Sequence, residues 1–290
     1  MKIANIVVRI VLSAIAYIVS LVLMGTLSPL LHLPPLKPVP GGGPQQMFLT
    51  MVLALPILIL GMLPLASFLK GSWPLRWLAI AVLLYVTLGL NTLIEAKIFT
   101  GLLEGNPLTA SFFWIVPSAL TAAALTFGLN QSNPAPSAMG NFSPSGWAWR
   151  LGVAWLAFPP IYFVFGMCVA PFVVPYYNST GILGLKIPGF DVIIRTQLLR
   201  SAIFLAASFP AILLWTKSRG RLILALGLAH AVTVGVFQLA QASFLPMTLR
   251  IAHSLEITAD SFAYAAVLTL LFVRSTKVAQ PVLAKPATAA

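Results

Sequence analysis

VTLGLNTLIEA (Val86 to Ala96) returns without a gap as VTVGVFQLAQA (Val232 to Ala242), with five of the eleven positions identical and Glu95 falling on Gln241. Each copy lies within an apolar run of about 20 residues, the length a helix needs to cross a ~30 Å hydrocarbon core. A recurring segment of this kind predicts a fold built twice, and other matches follow in the same order along the chain. SALTAAALT (from Ser118) meets SFAYAAVLT (from Ser261), and the PLT beginning at Pro107 meets the PMT beginning at Pro246. Pro64 and Lys70 echo Pro210 and Lys217, and Arg9, Ala16 and Gly25 echo Arg150, Ala157 and Gly166.

The rest of the chain has the same character. A mean hydropathy of +0.98, with 59% hydrophobic and 8% charged residues, excludes a soluble domain and predicts an all-α, polytopic helical membrane protein. Eight spans are expected, over 5–29, 47–69, 76–99, 107–129, 148–175, 196–216, 221–245 and 247–273. The alternation of a membrane β-barrel is absent. The first span starts with Lys2 and Arg9 but lacks a small-residue cleavage site after it, so it reads as a retained helix. These spans form two tandem four-helix repeats, 1–129 and 147–274, joined by the Asn-, Ser-, Pro- and Gly-rich linker 130–146 and followed by a tail, 275–290, expected to be disordered. An even number of spans per repeat makes the copies parallel, related by a pseudo-two-fold axis along the membrane normal.

A net charge of +12 suggests nucleic acid until the basic residues are placed. Lys2, Arg9, Lys70, Arg76, Arg150, Lys217, Arg219, Arg221, Arg274, Lys277 and Lys285 all fall on one side of the eight-span topology, while Lys37, Lys186 and Arg195 fall on the other. This positive-inside pattern puts both termini in the cytoplasm and the chain in the plasma (inner) membrane. The expected partners are the lipid bilayer and a small-molecule, ion or lipid substrate, with no nucleic acid.

The ionisable residues that are not at this basic side concentrate in LRIAHSLEITAD (Leu249 to Asp260). The first repeat is neutral at the matching place and about one helical turn shorter. Counting roughly 20 residues out from Arg274 puts His253 at the outer rim, Glu256 just inside it and Asp260 ~10 Å deep. Similar counts bring Glu95, Gln241 and Arg200 to the same level. His253, Glu256 and Asp260 share one helix stripe with Arg250 beside it, and Asn91 and Glu95 share another. Ionisable groups at this depth normally face a bundle interior or a wet cavity. The candidate substrate- or ion-binding residues are therefore Asn91, Glu95, Arg200, Gln241, Arg250, His253, Glu256 and Asp260.

Three functions fit this set. A transporter or permease would use Glu95, Glu256 and Asp260 as proton- or cation-coupling groups at the repeat interface, with prolines inside spans (Pro56, Pro64, Pro117, Pro159, Pro160, Pro210) opening helices to line a cavity. A membrane-embedded enzyme would act on a lipid or lipid-linked substrate at the outer leaflet, with His253 as base and Arg200 and Arg250 holding a phosphate. An assembly or sensory subunit would use the charges to fix helix register. The duplication favours transport. His253 and Glu256 have the i, i+3 spacing of a helix-borne metal pair, but such sites need two pairs and this chain has one. No glycine-rich phosphate loop or HExxH motif occurs, and the sequence points to no cofactor. His230 reads as a packed residue bonded to a neighbouring helix, Cys168 as a small packing residue, and the loop 174–192 as a lid over the cluster.

Overall fold

The computed structural model describes residues 3–35, 37, 43–129, 137–178 and 184–274. Its regular elements are helices, and eight of them are long and apolar enough to cross a membrane, as a multi-pass membrane protein requires. They are α1 (Ile3–Leu27), α2 (Pro44–Phe68), α3 (Trp73–Phe99), α4 (Pro107–Thr126), α5 (Pro144–Asn178), α6 (Phe190–Leu213), α7 (Arg219–Gln241) and α8 (Met247–Phe272). Proline in the first turn starts α2, α3 and α4, where its missing N–H has no intrahelical acceptor to lose. Asn106 caps α4 by accepting from Leu108 N at 2.9 Å.

The helix bounds lie close to the expected spans, with two exceptions. α5 continues to Asn178 and is 35 residues long. α6 begins at Phe190, where Asp191 and Arg195 form an i, i+4 ion pair in its first turns. The prolines do not open the helices as expected: α5 runs unbroken through Pro159, Pro160, Pro171 and Pro175, and α2 through Pro56 and Pro64. Among the described residues the departures from α geometry within these spans are two π-helical segments, Tyr85–Leu90 in α3 and Val232–Val236 in α7, neither of which contains a proline, and a 3-10 turn, Phe112–Trp114 in α4, just before Pro117.

Burial orders the bundle. Two thirds of the apolar window of α3 and of α7 is buried, against 22% for α1 and 17% for α5, so α3 and α7 are central and α1 and α5 are peripheral. α1 packs on α4 and α5 on α8, while α2 packs on α7 and α3 on α6. The two π segments cross at the centre, where Thr87 donates to Thr233 at 2.7 Å and Thr233 donates to the Ala229 carbonyl at 2.7 Å. Further along, Gln238 Nε2 donates to Thr92 Oγ1 at 3.0 Å, and both contacts join residues 146 apart. Leu69 and Trp215 form an isolated bridge at the same separation. Replacing Thr87 and Thr233 by valine, singly and together, is expected to show a coupling of about 0.6 kcal/mol in a double-mutant cycle of unfolding, the usual size for a hydroxyl bond between membrane helices. Strict additivity would remove this bond from the account of the centre.

One end of the bundle carries the basic residues, and they act there as caps. Arg9 Nε donates to the Leu125 carbonyl at 2.8 Å, and Arg150 Nε to the Leu271 carbonyl at 3.0 Å. Arg76 reaches the Leu129 carbonyl at 2.7 Å and Arg219 the Val273 carbonyl at 2.8 Å. These guanidinium groups satisfy carbonyls that α4 and α8 leave unpaired where they end. The described part of the linker packs against this end: Ala138 N donates to Trp215 O, Gly140 N to Phe272 O and Arg274 N to Ala138 O, each at 2.8 Å. Residues 130–136 of the linker and the tail 275–290 lie outside the described residues.

Candidate functional site

At the end opposite the basic caps, α3, α5, α6, α7 and α8 enclose a cavity of about 290 Å³. Glu95, Arg200, His253, Glu256 and Asp260 line it, so five of the eight candidate residues meet in one place. The cavity also takes in His230, which lies deeper along α7.

Arg200, 3% exposed, anchors one wall. It pairs with Glu95 Oε1 at 2.7 Å, donates through Nε to Asn91 Oδ1 at 2.8 Å and through Nη1 to Gln197 Oε1 at 3.0 Å. Its guanidinium carbon lies 5.4 to 5.9 Å from the rings of Phe158, Tyr162 and Phe204, within cation–π range. Each of its three nitrogens has an acceptor and three rings surround its carbon, the kind of compensation a buried cation needs in an apolar bundle. Asn91 stands behind this wall as a fully buried ligand of Arg200.

A second group comes from α8 and α5. His253 Nδ1 lies 2.7 Å from Glu256 Oε2, and Tyr177 Oη lies 3.2 Å from His253 Nε2. With a neutral ring these partners fit the tyrosine donating to Nε2 and Nδ1–H donating to the carboxylate; with a protonated ring both nitrogens donate. Glu256 fits against α5 where that helix carries Gly166, since a Cβ there would come within 3.2 Å of Glu256 Oε1.

Asp260 lies one turn further along α8. It is 6% exposed, it lines the cavity, and its Oδ1 has no hydrogen-bond partner among the described residues. Gln238 Nε2 is taken up by Thr92 and the Thr233 carbonyl, leaving Gln238 Oε1 as a second buried acceptor without a partner among the described residues. His230 is buried and bonded through Nε2 to Ser208 of α6 at 2.8 Å, the packing bond expected of it.

Two candidates are placed elsewhere. Arg250 donates to the carbonyls of Leu239 and Ala240 at 2.7 and 2.6 Å, capping the end of α7 instead of facing the cavity. Gln241 is the last residue of α7 and does not line the cavity; Gln238, one turn earlier, does. The lining residues Tyr162, Tyr177, Thr92 and Gln238 were not singled out from the sequence. Phe158, Tyr162 and Gly166 do follow one another at i, i+4, a stripe that marks one face of α5. Gln238 aligns with Thr92 in the recurring segment, so polarity at that position in both copies was a usable signal.

The expected lid contributes Tyr177 and Leu185 to the lining, and Lys186 N donates to Phe99 O at 3.0 Å; residues 179–183 lie outside the described set. Cys168, expected to pack, is exposed on α5. Among the described residues, no three His, Cys, Asp or Glu side chains are grouped to hold a metal ion, and the carboxylate of Glu256 is bonded to His253 directly.

A second cavity, of about 210 Å³, adjoins the first and shares Phe99, Tyr162, Tyr177, His253 and Glu256 with it. Its other walls are apolar, including Phe163, Gly166, Met167 and Val173 of α5, Ile187 and Ile193. No protein-family model, curated protein or solved structure matches the chain.

Proposed function

We propose that the protein is a proton- or cation-coupled transporter of the plasma (inner) membrane, built from two tandem parallel four-helix repeats with both termini cytoplasmic. The observation that carries this reading is Asp260, a carboxylate buried in the wall of a cavity among membrane-spanning helices, with an oxygen that has no partner among the described residues. A buried acceptor left open costs about 1–3 kcal/mol, more if charged, and is retained where a ligand or proton completes it. Glu95 is held by Arg200 and Glu256 by His253, so Asp260 is the group on which a proton and a cation compete. Matching contacts support the duplication: Thr87 with Thr233, Thr92 with Gln238, and arginine caps on α4 and α8. In that alignment Ala54 stands for Arg200 and Pro117 for Asp260, leaving a single ionisable site on one side of the axis.

The test is electrical. Proteoliposomes on a solid-supported membrane are exposed to concentration jumps of amines, metal cations, carboxylates and sugars across a pH step. The wild type is expected to give a transient current with at least one class, at least tenfold smaller in Asp260→Asn and reduced in Glu256→Gln. One observation favours a second reading, an enzyme acting on a membrane lipid: the Tyr177–His253–Glu256 relay has acid–base geometry and borders the apolar second cavity. Silence in every electrical trial, with conversion of a bilayer lipid detected by mass spectrometry, would put the enzyme in place of the transporter.

A further inference from the structure

We infer that the ligand of this site is an amphipathic amine, with its ammonium group on Asp260 and its hydrocarbon tail in the apolar side cavity. The inference deepens the reading of the cavity as a transport site and depends on that reading only for the cavity being a ligand site.

The sign of the head group follows from which polar atoms are already used. Arg200 has Glu95, Asn91, Gln197 and three aromatic rings around it, and both His253 nitrogens are engaged by Tyr177 and Glu256. An anion entering the cavity therefore meets a guanidinium already neutralised by Glu95 and would have to compete with that carboxylate. Among the described residues the buried side-chain atoms of the lining without a partner are Asp260 Oδ1 and Gln238 Oε1, and both are acceptors. A ligand that satisfies them must donate, and a cation does so at a site where three carboxylates face one permanent positive charge. The ionisable groups around Asp260 are Glu256 and His253 on α8, Glu95 on α3, Arg200 on α6, His230 on α7, and Tyr162 and Tyr177 on α5.

The tail follows from the second cavity. Its walls are apolar apart from the shared Tyr162, Tyr177, His253 and Glu256, so polarity is confined to the side toward Asp260. It borders a surface of α5 on which Val164, Met167 and Phe172 are 53 to 67% exposed, an apolar face suited to contact with lipid chains. Ile187 and Phe190, at the entry to α6, are exposed beside it. A molecule partitioned in the bilayer with its charge at the interface meets this opening from the side, its ammonium passing inward to Asp260 and its tail staying in the side cavity. Two adjoining cavities of about 290 and 210 Å³ suit one ligand of small-molecule size with a polar and an apolar end.

The test uses the full-length protein in maltoside detergent and reads the thermal unfolding midpoint with octylammonium, octyl sulfate, octanol or methylammonium at equal concentration. Octylammonium is expected to raise the wild-type midpoint by several degrees, since a ligand that binds only the folded state stabilises it by mass action. Octyl sulfate and octanol are expected to give no rise, and methylammonium, a head without a tail, a smaller one. Asp260→Asn should abolish the octylammonium shift and Asp260→Glu retain it, which separates lost charge from a damaged fold. Ala170→Trp, which fills the side cavity, should bring octylammonium down to the methylammonium value. An equal shift from octyl sulfate, or an octylammonium shift that survives in Asp260→Asn, overturns the inference. Octylammonium binding without current in proteoliposomes would leave the ligand class standing and remove transport. Current with another solute class and no octylammonium shift would do the reverse.

Discussion

Arg200→Met is expected to lower the thermal unfolding midpoint by about 10 °C, and Arg200→Met combined with Glu95→Gln to recover at least half of that loss. Removing one partner of a buried pair strands the other, at a cost of about 3–5 kcal/mol. In a chain of this size each kcal/mol moves the midpoint by roughly 2–4 °C. Here the loss reaches beyond Glu95, because Asn91 Oδ1 and Gln197 Oε1 give up their donors at the same time and neither is exposed enough for water to replace them. Methionine keeps much of the arginine stem's volume and its contact with Phe158 and Phe204, so packing contributes little to the difference. Neutralising Glu95 removes the stranded charge, which is why the double variant is the more stable one. Differential scanning fluorimetry decides it. An Arg200→Met protein as stable as wild type would mean that the Glu95 carboxylate, about one third exposed, finds enough water without its partner.

Such an effect was only half legible in the sequence. Depth counting from basic anchors brings Glu95, Arg200 and the α8 stripe to one level, because a membrane helix has a fixed rise and its length is set by the bilayer. It does not say which way a long side chain turns. Arg250 stands beside the stripe and its guanidinium nevertheless goes to Leu239 and Ala240, since α7 ends there with unpaired carbonyls. Gln241 drops out although the aligned Glu95 does not: α7 ends at Gln241, and Gln238, one turn earlier, lines the cavity instead. Tyr162 and Tyr177 are invisible to a search for charge, although they close the site from α5. The prolines of α2 and α5 misled because both helices run on through them, even in the largely exposed α5, whereas the π segments carry no residue that announces them.

The recurring segment also sets up a contrast that the letters alone hide. Gly89 and Gly235 occupy the same position in VTLGL and VTVGV, yet Gly89→Ala is expected to lower the unfolding midpoint by about 5 °C and Gly235→Ala by less than 2 °C. Both glycines let a neighbouring helix approach closely, the usual role of small residues between membrane helices. A Cβ on Gly89 would come within 2.6 Å of Trp114 Cβ and 2.7 Å of its Cγ, atoms fixed to the α4 backbone. Relief requires α4 to shift, and overpacking of this kind costs about 1–3 kcal/mol. A Cβ on Gly235 would meet Ile257 Cδ1 at 2.2 Å, but the next atoms of that side chain stand at 3.4 and 3.5 Å. A change of the isoleucine rotamer removes that single clash, and it has somewhere to go, because Gly235 and Ile257 both line the 290 Å³ cavity. Replacing glycine by alanine inside a helix also gains up to ~1 kcal/mol of backbone propensity, which offsets what remains. The more tolerant position is thus the one beside the site: Gly235→Ala should leave stability almost unchanged while narrowing the cavity, and Gly89→Ala should destabilise a contact that does not line it. Equal midpoint losses for the two variants would mean that the cavity wall is as rigid as the packed Trp114 contact.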